Sequence, residues 1–485
     1  MTLRVAPCHP AAPHDNALMQ PNPPEAGPGR EQLRGWIAAM ETGLLERGAA
    51  VRLALLAALA AEHVLLIGPP GSAKSELARR LHGAFAQAPY FERLLTRFST
   101  PEELFGPLSL KALEEDRYER LIEGYLPCAG MAFLDEVFKA NSAILNSLLT
   151  LLNEREYDHG SGRIHTPLIS VVGATNEVPA DEALRAFFDR FLLRVQVAPV
   201  SDASFTQLLT LQVPPTPTPA AISSAQRAAV LRGRKVIALP GPVLQVLGQL
   251  RRWLAERSMP VSDRRWRQLA SLLQTQALTD GRSAVDPLDL WLLPHVVCED
   301  PAKADAVAQW FAHEVLGAVP QEAPWLTRAV QAFEQQLQQE QQADADEGDD
   351  LAGKLALARA VGGADTRTQM PRLRASRLEE QLRKRFSPVH VAARVAQVEE
   401  LVAQVAAGVT QAQGQLSALQ DLLNDRLWLP PALAQAWLHA HESTLAVLDG
   451  LRQRTLALRT GFAGLPHEDA DNQEPPAPVR WGESA

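Results

Sequence analysis

Apolar positions along the chain follow two different periods. Between residues 63 and 200 they form short unbroken runs: HVLLIG at 63–68, MAFLDE at 131–136 and LISVVGATNE at 168–177. Continuous apolar runs of this length read as buried strands. A helical pattern follows the first of them, with Leu77, Leu81 and Phe85 recurring in SELARRLHGAF at 75–85. Upstream, Trp36, Ile37, Met40 and Leu44 predict one face of a helix within 31–62. Strands spaced by helical patterns predict an α/β core with a parallel sheet and helices on both faces.

Beyond about residue 200 the period is helical only. Leu326, Val330, Phe333 and Leu337 recur four, three and four apart. Val391, Val395, Val398, Val402, Val405, Val409, Ala412, Leu416, Leu419 and Leu423 extend that spacing over more than four heptads. WLPPALAQAW at 428–437 turns the chain, and a second amphipathic helix runs to about Arg459. A three-helix antiparallel element buries this seam within one chain; an intermolecular coiled coil is the rival arrangement.

The breaks divide the chain. Residues 1–30 form a Pro-rich tail expected to be disordered, with no apolar segment of the kind a signal peptide needs. An α/β domain covers 31–200, an all-α lid 201–305 and a helical C-terminal domain 306–465. Inside the last, the acidic run ADADEGDD opens a linker of no assignable structure at about 341–386, and 466–485 read as a second disordered tail.

Chemistry enters at GPPGSAKS, residues 68–75, which follows the phosphate-loop pattern G-x-x-x-x-G-K-[ST] except that Ala73 stands for the second glycine. Gly68, Pro69, Pro70, Gly71, Ser72, Ala73, Lys74 and Ser75 then lie between a strand and a helix N-terminus, where free N–H groups and the helix dipole favour phosphate. Lys74 adds a point charge, and Ser75 offers a hydroxyl to Mg²⁺. Ala73 costs little there provided its φ is helical. The alternative is a helix-starting turn that happens to carry a lysine. MAFLDE weighs against that alternative, because a strand ending in Asp135 puts a second Mg²⁺ ligand beside Ser75, and Glu136 can take a proton from an attacking water. The third run ends in Asn176. A strand lying between the two motif strands would bring that amide to the water or the γ-phosphate; otherwise Asn176 caps a turn.

GPPGSAKS, FLDEVFKAN, ILNSLLTLLNERE and ATNEVPA together resemble the MoxR family of AAA+ ATPases. TRFSTPEELFGPLS, YERLIEGYLP and VSDRRWRQL resemble its RavA branch, closely over residues 31–300. The resemblance implies an α/β P-loop AAA+ core with an all-α lid, ATP and Mg²⁺ as cofactors, and ATP hydrolysis by a homo-hexameric ring. It places Gly68–Ser75 in Walker A, Asp135 and Glu136 in Walker B, and Asn176 at sensor 1. It places Arg190 at the arginine finger, with Arg185 and Arg194 as neighbours that could take the part, and Arg264 at sensor 2, with Arg265 as its rival. The segments 105–127 and 153–170 resemble a helix-2 insert and a hairpin before sensor 1. A von Willebrand A-domain partner is also implied. Docking on an inducible lysine decarboxylase is not carried over, since residues 341–386 lack the β-rich insertion used for it.

Charge and cysteines limit the alternatives. Lys and Arg total 47 against 56 Asp and Glu, a formal charge of −9, which does not favour nucleic acid as the main partner. Cys8, Cys128 and Cys298 are too scattered for a metal motif and suit a reducing cytoplasm. No apolar run reaches 18 residues, so no integral membrane segment is expected. The expected activity is an ATP-driven, chaperone-like remodeller of a protein partner that the sequence does not name. A nucleotide-gated scaffold with incidental turnover is the second reading, and a DNA translocase a weaker third.

Overall fold

A computed structural model describes residues 26–160, 162–179, 181–212, 217–317, 324–341 and 386–466. The expected N-terminal tail up to residue 25, the linker at 342–385 and the tail from 467 lie outside the described residues. The chain divides into two compact units, Met1–Gly317 with Leu423–Gln435, and Ala318–Leu422 with Ala436–Ala485.

The first unit begins with helices α1 (Arg30–Glu41) and α2 (Gly48–Ala60) and continues β1 (Val64–Ile67), α3 (Lys74–Gly83), β2 (Tyr90–Leu94), α4 (Pro101–Phe105), α5 (Leu110–Glu114), β3 (Met131–Asp135), α6 (Ser142–Glu154), β4 (Glu156–His159), β5 (Gly162–His165), β6 (Ser170–Thr175), α7 (Glu182–Phe188), β7 (Leu193–Gln196) and α8 (Asp202–Leu209). Five strands form a parallel sheet in the order β2-β3-β6-β1-β7. The third motif strand, β6, therefore lies between the other two, the arrangement under which Asn176 reaches the site.

Strand side chains alternate between two layers. Leu65 and Ile67 of β1, Ala132 and Leu134 of β3, and Val171 of β6 enter one core cluster with Ile144, Leu148 and Leu151 of α6. The intervening Val64 and Leu66 are equally buried. Helix α2, buried from Ala50 to Ala60, packs along β1, β6 and β7. Burial on both faces is why these strands read as unbroken apolar runs rather than alternating ones.

Both expected hairpins are present. Leu108 bridges Arg120 antiparallel, with Ser109 N–H donating to Glu119 O and Leu121 N–H to Pro107 O, both at 2.8 Å, and α5 within the excursion. β4 and β5 pair antiparallel with Tyr157 opposite Ile164.

The lid consists of α9 (Ser224–Gly233), α10 (Gly241–Glu256), α11 (Asp263–Thr279), α12 (Leu293–Val297) and α13 (Pro301–Glu314). Residues 423–435 complete the unit. Trp428, 1% exposed, donates from Nε1 to Thr279 Oγ1 at 2.9 Å, and the buried Asp280 pairs with Arg30 at 3.0 Å.

In the second unit a helix at 324–341 and the long helices Pro388–Leu423 and Pro431–Ala463 share one apolar cluster. Val398, Val405, Val409, Ala412 and Leu419 of the seam are buried, and Leu401, outside the seam, joins them. They meet Leu326 and Val330 on one side and Leu448, Leu451, Leu458 and Phe462 on another. The seam thus packs against helices of its own chain. Arg454 adds a bidentate pair to Glu334, at 2.7 and 2.6 Å.

Candidate active site

The loop after β1 folds as a cradle. Gly68 N–H extends the ladder to Thr175 O at 3.0 Å, and a Cβ at Gly68 would stand 2.1 Å from Val197 O, so only glycine fits. Pro69, Pro70 and Gly71 are exposed, Gly71 with φ +80°, while Ser72 is buried and donates from Oγ to Pro69 O at 2.8 Å. Ala73 has φ 68° and ψ 24°, not the helical φ under which it would cost little. That left-handed conformation costs a Cβ-bearing residue roughly 1–2 kcal/mol, which is the physical reason the general pattern has glycine there. Ala73 is also the N-cap of α3 and supplies no side-chain cap, so the first-turn N–H groups of that helix remain open to an anion.

Lys74 is buried, its Nζ donating to Gly68 O at 2.5 Å and Pro69 O at 3.0 Å. Burial pulls the ammonium pKa below its ordinary value, against the opposing field of Asp135 and Glu136. Asp135 ends β3 and Glu136 follows it, on the strand paired directly with β6. Asp135 Oδ1 accepts from Glu136 N–H at 3.0 Å, and Glu136 takes a left-handed φ of 50° at the strand end. Asn176 sits one residue past β6. Its Nδ2 donates to Glu136 Oε1, and its Oδ1 lies 3.4 Å from Lys74 Nζ. Lys139 pairs with the other Glu136 oxygen at 3.3 Å. Three adjacent parallel strands therefore deliver a loop cation, a carboxylate pair and an amide to one point at their C-terminal ends.

The arginines lie elsewhere. β1 and β7 run parallel, with Val64 opposite Leu193. Arg190 precedes Leu193, so it stands at the end of the sheet away from the phosphate loop. It is half-buried, its N–H donating to Phe187 O at 3.0 Å. Arg185, in α7, is exposed. Arg194 is buried, with Nη1 on Cys298 O at 3.1 Å, Nη2 on Asp189 Oδ1 at 3.3 Å, and its guanidinium 4.0 Å from the Phe188 ring centre. Arg264 donates to Asn153 Oδ1 at 2.8 Å and acts electrostatically on Glu62 and His63, which precede β1. Arg265 is buried against Asp189 and backbone carbonyls. Neither sensor-2 candidate is brought to the phosphate loop of its own chain.

Comparison with known proteins decides the family. The family described as "MoxR domain in the MoxR-vWA-beta-propeller ternary systems" matches residues 31–215, and "AAA lid domain" matches 242–311. An uncharacterized protein of Methanocaldococcus jannaschii, MJ0079, is 41% identical over 261 residues, which is 53% of this chain and 67% of the relative. A second from that organism, MJ0812, is 39% identical over 259 residues, 53% of this chain and 69% of the relative. The chain belongs to the MoxR family of AAA+ ATPases. A Cytophaga hutchinsonii crystal structure superposes with TM-score 0.48 at 15% identity, covering 59% of this MoxR chain and 94% of its own.

One residue that holds the 68–75 loop of this MoxR chain had no signal in the sequence. Arg47, buried just before α2, donates from Nε to Ser72 O at 3.2 Å and from Nη2 to Ala198 O at 2.6 Å. It pins the back of the loop to the segment following β7. Next to it, Glu46 accepts from Ser201 N–H at 2.9 Å. A lone Arg–Gly junction between two helices carries no motif, and only the tertiary structure brings it to the loop.

Proposed function

We propose that this MoxR-family chain binds ATP with Mg²⁺ and hydrolyses it, and that turnover drives remodelling or assembly of a protein partner. The observation that carries the reading is the convergence of Lys74, Glu136 and Asn176 at the ends of β1, β3 and β6. Gly68–Ser75 would wrap the phosphates, with the uncapped first turn of α3 donating N–H groups and Lys74 exchanging its loop carbonyls for phosphate oxygens. The hydroxyl of Ser75 and the carboxylate of Asp135 form a hard-oxygen donor pair that suits Mg²⁺, which supplies charge neutralisation on the phosphate oxygens. Glu136 is assigned as the base that orients and deprotonates water, and Asn176 as the amide that holds it in place.

The placement of Arg190 and Arg264 away from their own phosphate loop supports a ring, taken as a hexamer, in which each serves a neighbour's nucleotide. A positioned arginine of this kind contributes roughly 10³–10⁵ in rate. The matched family's description, which names MoxR, vWA and β-propeller components together, supports a von Willebrand A-domain partner and extends the expectation to a β-propeller protein. It favours that kind of system over the RavA-like placement. A cytoplasmic location belongs to the same proposal; among the described residues no helix is long and apolar enough to cross a membrane.

The test uses Lys74→Ala and Glu136→Gln. Lys74→Ala should lose ATP binding. Glu136→Gln should bind ATP as the wild type does, turn it over slowly, and retain a vWA-domain protein in an ATP-dependent complex. Normal turnover by Glu136→Gln would overturn the assignment of the base.

A further inference from the structure

The turn carrying Arg190 is held from both sides by buried arginines. Arg265, in the first turn of lid helix α11, is 3% exposed and spends all its donors. Nε donates to Asp189 Oδ1 at 3.1 Å; Nη1 to Leu192 O at 2.9 Å and Val296 O at 2.7 Å; Nη2 to Asp189 O at 3.2 Å and Phe191 O at 3.0 Å. The carbonyls of residues 189, 191 and 192 bracket Arg190. From β7, Arg194 reaches the same Asp189 carboxylate and stacks on Phe188. Asp189 thus pairs with both buried guanidiniums, and Glu299 adds a second negative field on each.

An arginine with every donor committed to backbone and Asp189 has none left for a phosphate. Its contacts instead fix the backbone on either side of Arg190, together with the Val296 carbonyl of α12. A positioned group loses effect steeply when displaced by as little as 1 Å. The cluster is also not sealed: a cleft of about 320 Å³ lined by Asp189, Ser262, Arg265 and Glu299 opens beside it, so the lid side of the tie borders solvent.

We propose that Arg265 is a positioning residue that ties lid helix α11 to the 188–192 turn, so that the lid determines where Arg190 reaches. The inference rests on Arg190 acting at a neighbour's nucleotide. It assigns to the second arginine of SDRRW a role distinct from phosphate sensing.

The experiment is subunit mixing with full-length chains. Arg265→Met should bind nucleotide like the wild type while kcat falls by roughly 10²–10³, less than the 10³–10⁵ of losing the finger outright. Its own loop and Glu136 are intact, so mixing it with inactive Glu136→Gln subunits should restore activity, as mixing Arg190→Ala with Glu136→Gln should. Arg265→Lys should recover part of kcat without changing KM. If Arg190→Ala is rescued in co-assembled mixtures and Arg265→Met is not, the positioning role is wrong and the finger stands. If Arg190→Ala is not rescued, the finger reading itself fails. Should Arg265→Met not fold, Asp189→Asn removes the shared charge while keeping the carbonyl contacts. It should show the same loss of kcat at constant KM and the same rescue, and wild-type kcat in Asp189→Asn would overturn the proposal.

Discussion

Asn176 joins Glu136 to the loop lysine: Nδ2 donates to a Glu136 carboxylate oxygen while Oδ1 lies 3.4 Å from Lys74 Nζ. One amide thus bridges the proposed base and the phosphate-loop cation. Asn176→Ala removes the amide donor to Glu136 and leaves its carboxylate to the Lys139 ion pair and the field of Lys74. Hydrolysis should fall by roughly 10²–10³, the usual cost of one preorganised donor, with nucleotide affinity largely kept. Single-turnover kinetics beside a nucleotide titration separates the two. A parallel loss of affinity would make Asn176 a scaffold of the loop rather than an aid to the base.

Ala73 predicts a gain instead of a loss. Its φ of 68° is strained for alanine and free for glycine. Ala73→Gly relieves roughly 1–2 kcal/mol in the folded state and returns about 0.4–1 kcal/mol through the looser unfolded chain. The variant should be as stable as the wild type or up to about 1.6 kcal/mol more stable by denaturant titration, and should still bind ATP. Ala73→Val should be clearly destabilised, because a β-branched side chain adds crowding at the same φ.

What was legible in the sequence follows from how each feature is encoded. Strand runs and both hairpins rest on local period and turn residues, whereas the order that puts β6 between β1 and β3 is a tertiary pairing that no local pattern records. The seam also rests on local period, although Leu401 was missed because a heptad rule fixes a narrower stripe than the two partner helices cover. The backbone conformation of Ala73 depends on the path of the loop, which no period records. Arg264 and Arg265 are adjacent and chemically identical, but about 100° of helical rotation sends one to Asn153 and the other into the core. Arg47 and Arg265 act by gripping carbonyls distant in sequence, and a carbonyl carries no residue signature.

Glu62, just before β1, provides a pH test. Burial raises its carboxyl to about 7, against the lowering effects of Arg155, Arg234, the hydrogen bond from Gln268 and Arg264. An acid whose folded pKa exceeds its unfolded value binds more protons when folded. Stability from this group is therefore full at low pH and declines as pH rises between about 4.5 and 7. Glu62→Gln removes the titration and keeps a partner for Gln268. The stability difference, variant minus wild type, should grow from pH 5 to pH 8, by at most about 3 kcal/mol at 1.36 kcal/mol per unit. His63 and His295, both buried with lowered pKa, titrate in each protein and cancel from the difference. A flat difference would mean that the arginines hold Glu62 ionised throughout.

The second unit should fail independently of the first. Val405 is fully buried in the cluster that joins the helices at 324–341, Pro388–Leu423 and Pro431–Ala463, and Val402 packs at its margin. Val402→Asp with Val405→Asp removes about 1.5–3 kcal/mol of apolar burial at the fully buried site and less at the margin. It also forces carboxylates toward an apolar interior with no counter-ion in that cluster, a larger cost. The helices should unfold, visible as lost helical circular dichroism and as proteolysis confined to residues 318–422 and 436–485. The loop, Glu136 and Asn176 all belong to the other unit, so nucleotide binding should persist at wild-type affinity. Stimulation of turnover by a partner bound through the helical unit should disappear in the same protein. Loss of nucleotide binding would show instead that the two units fold as one cooperative structure, and that the long helices support the nucleotide site itself.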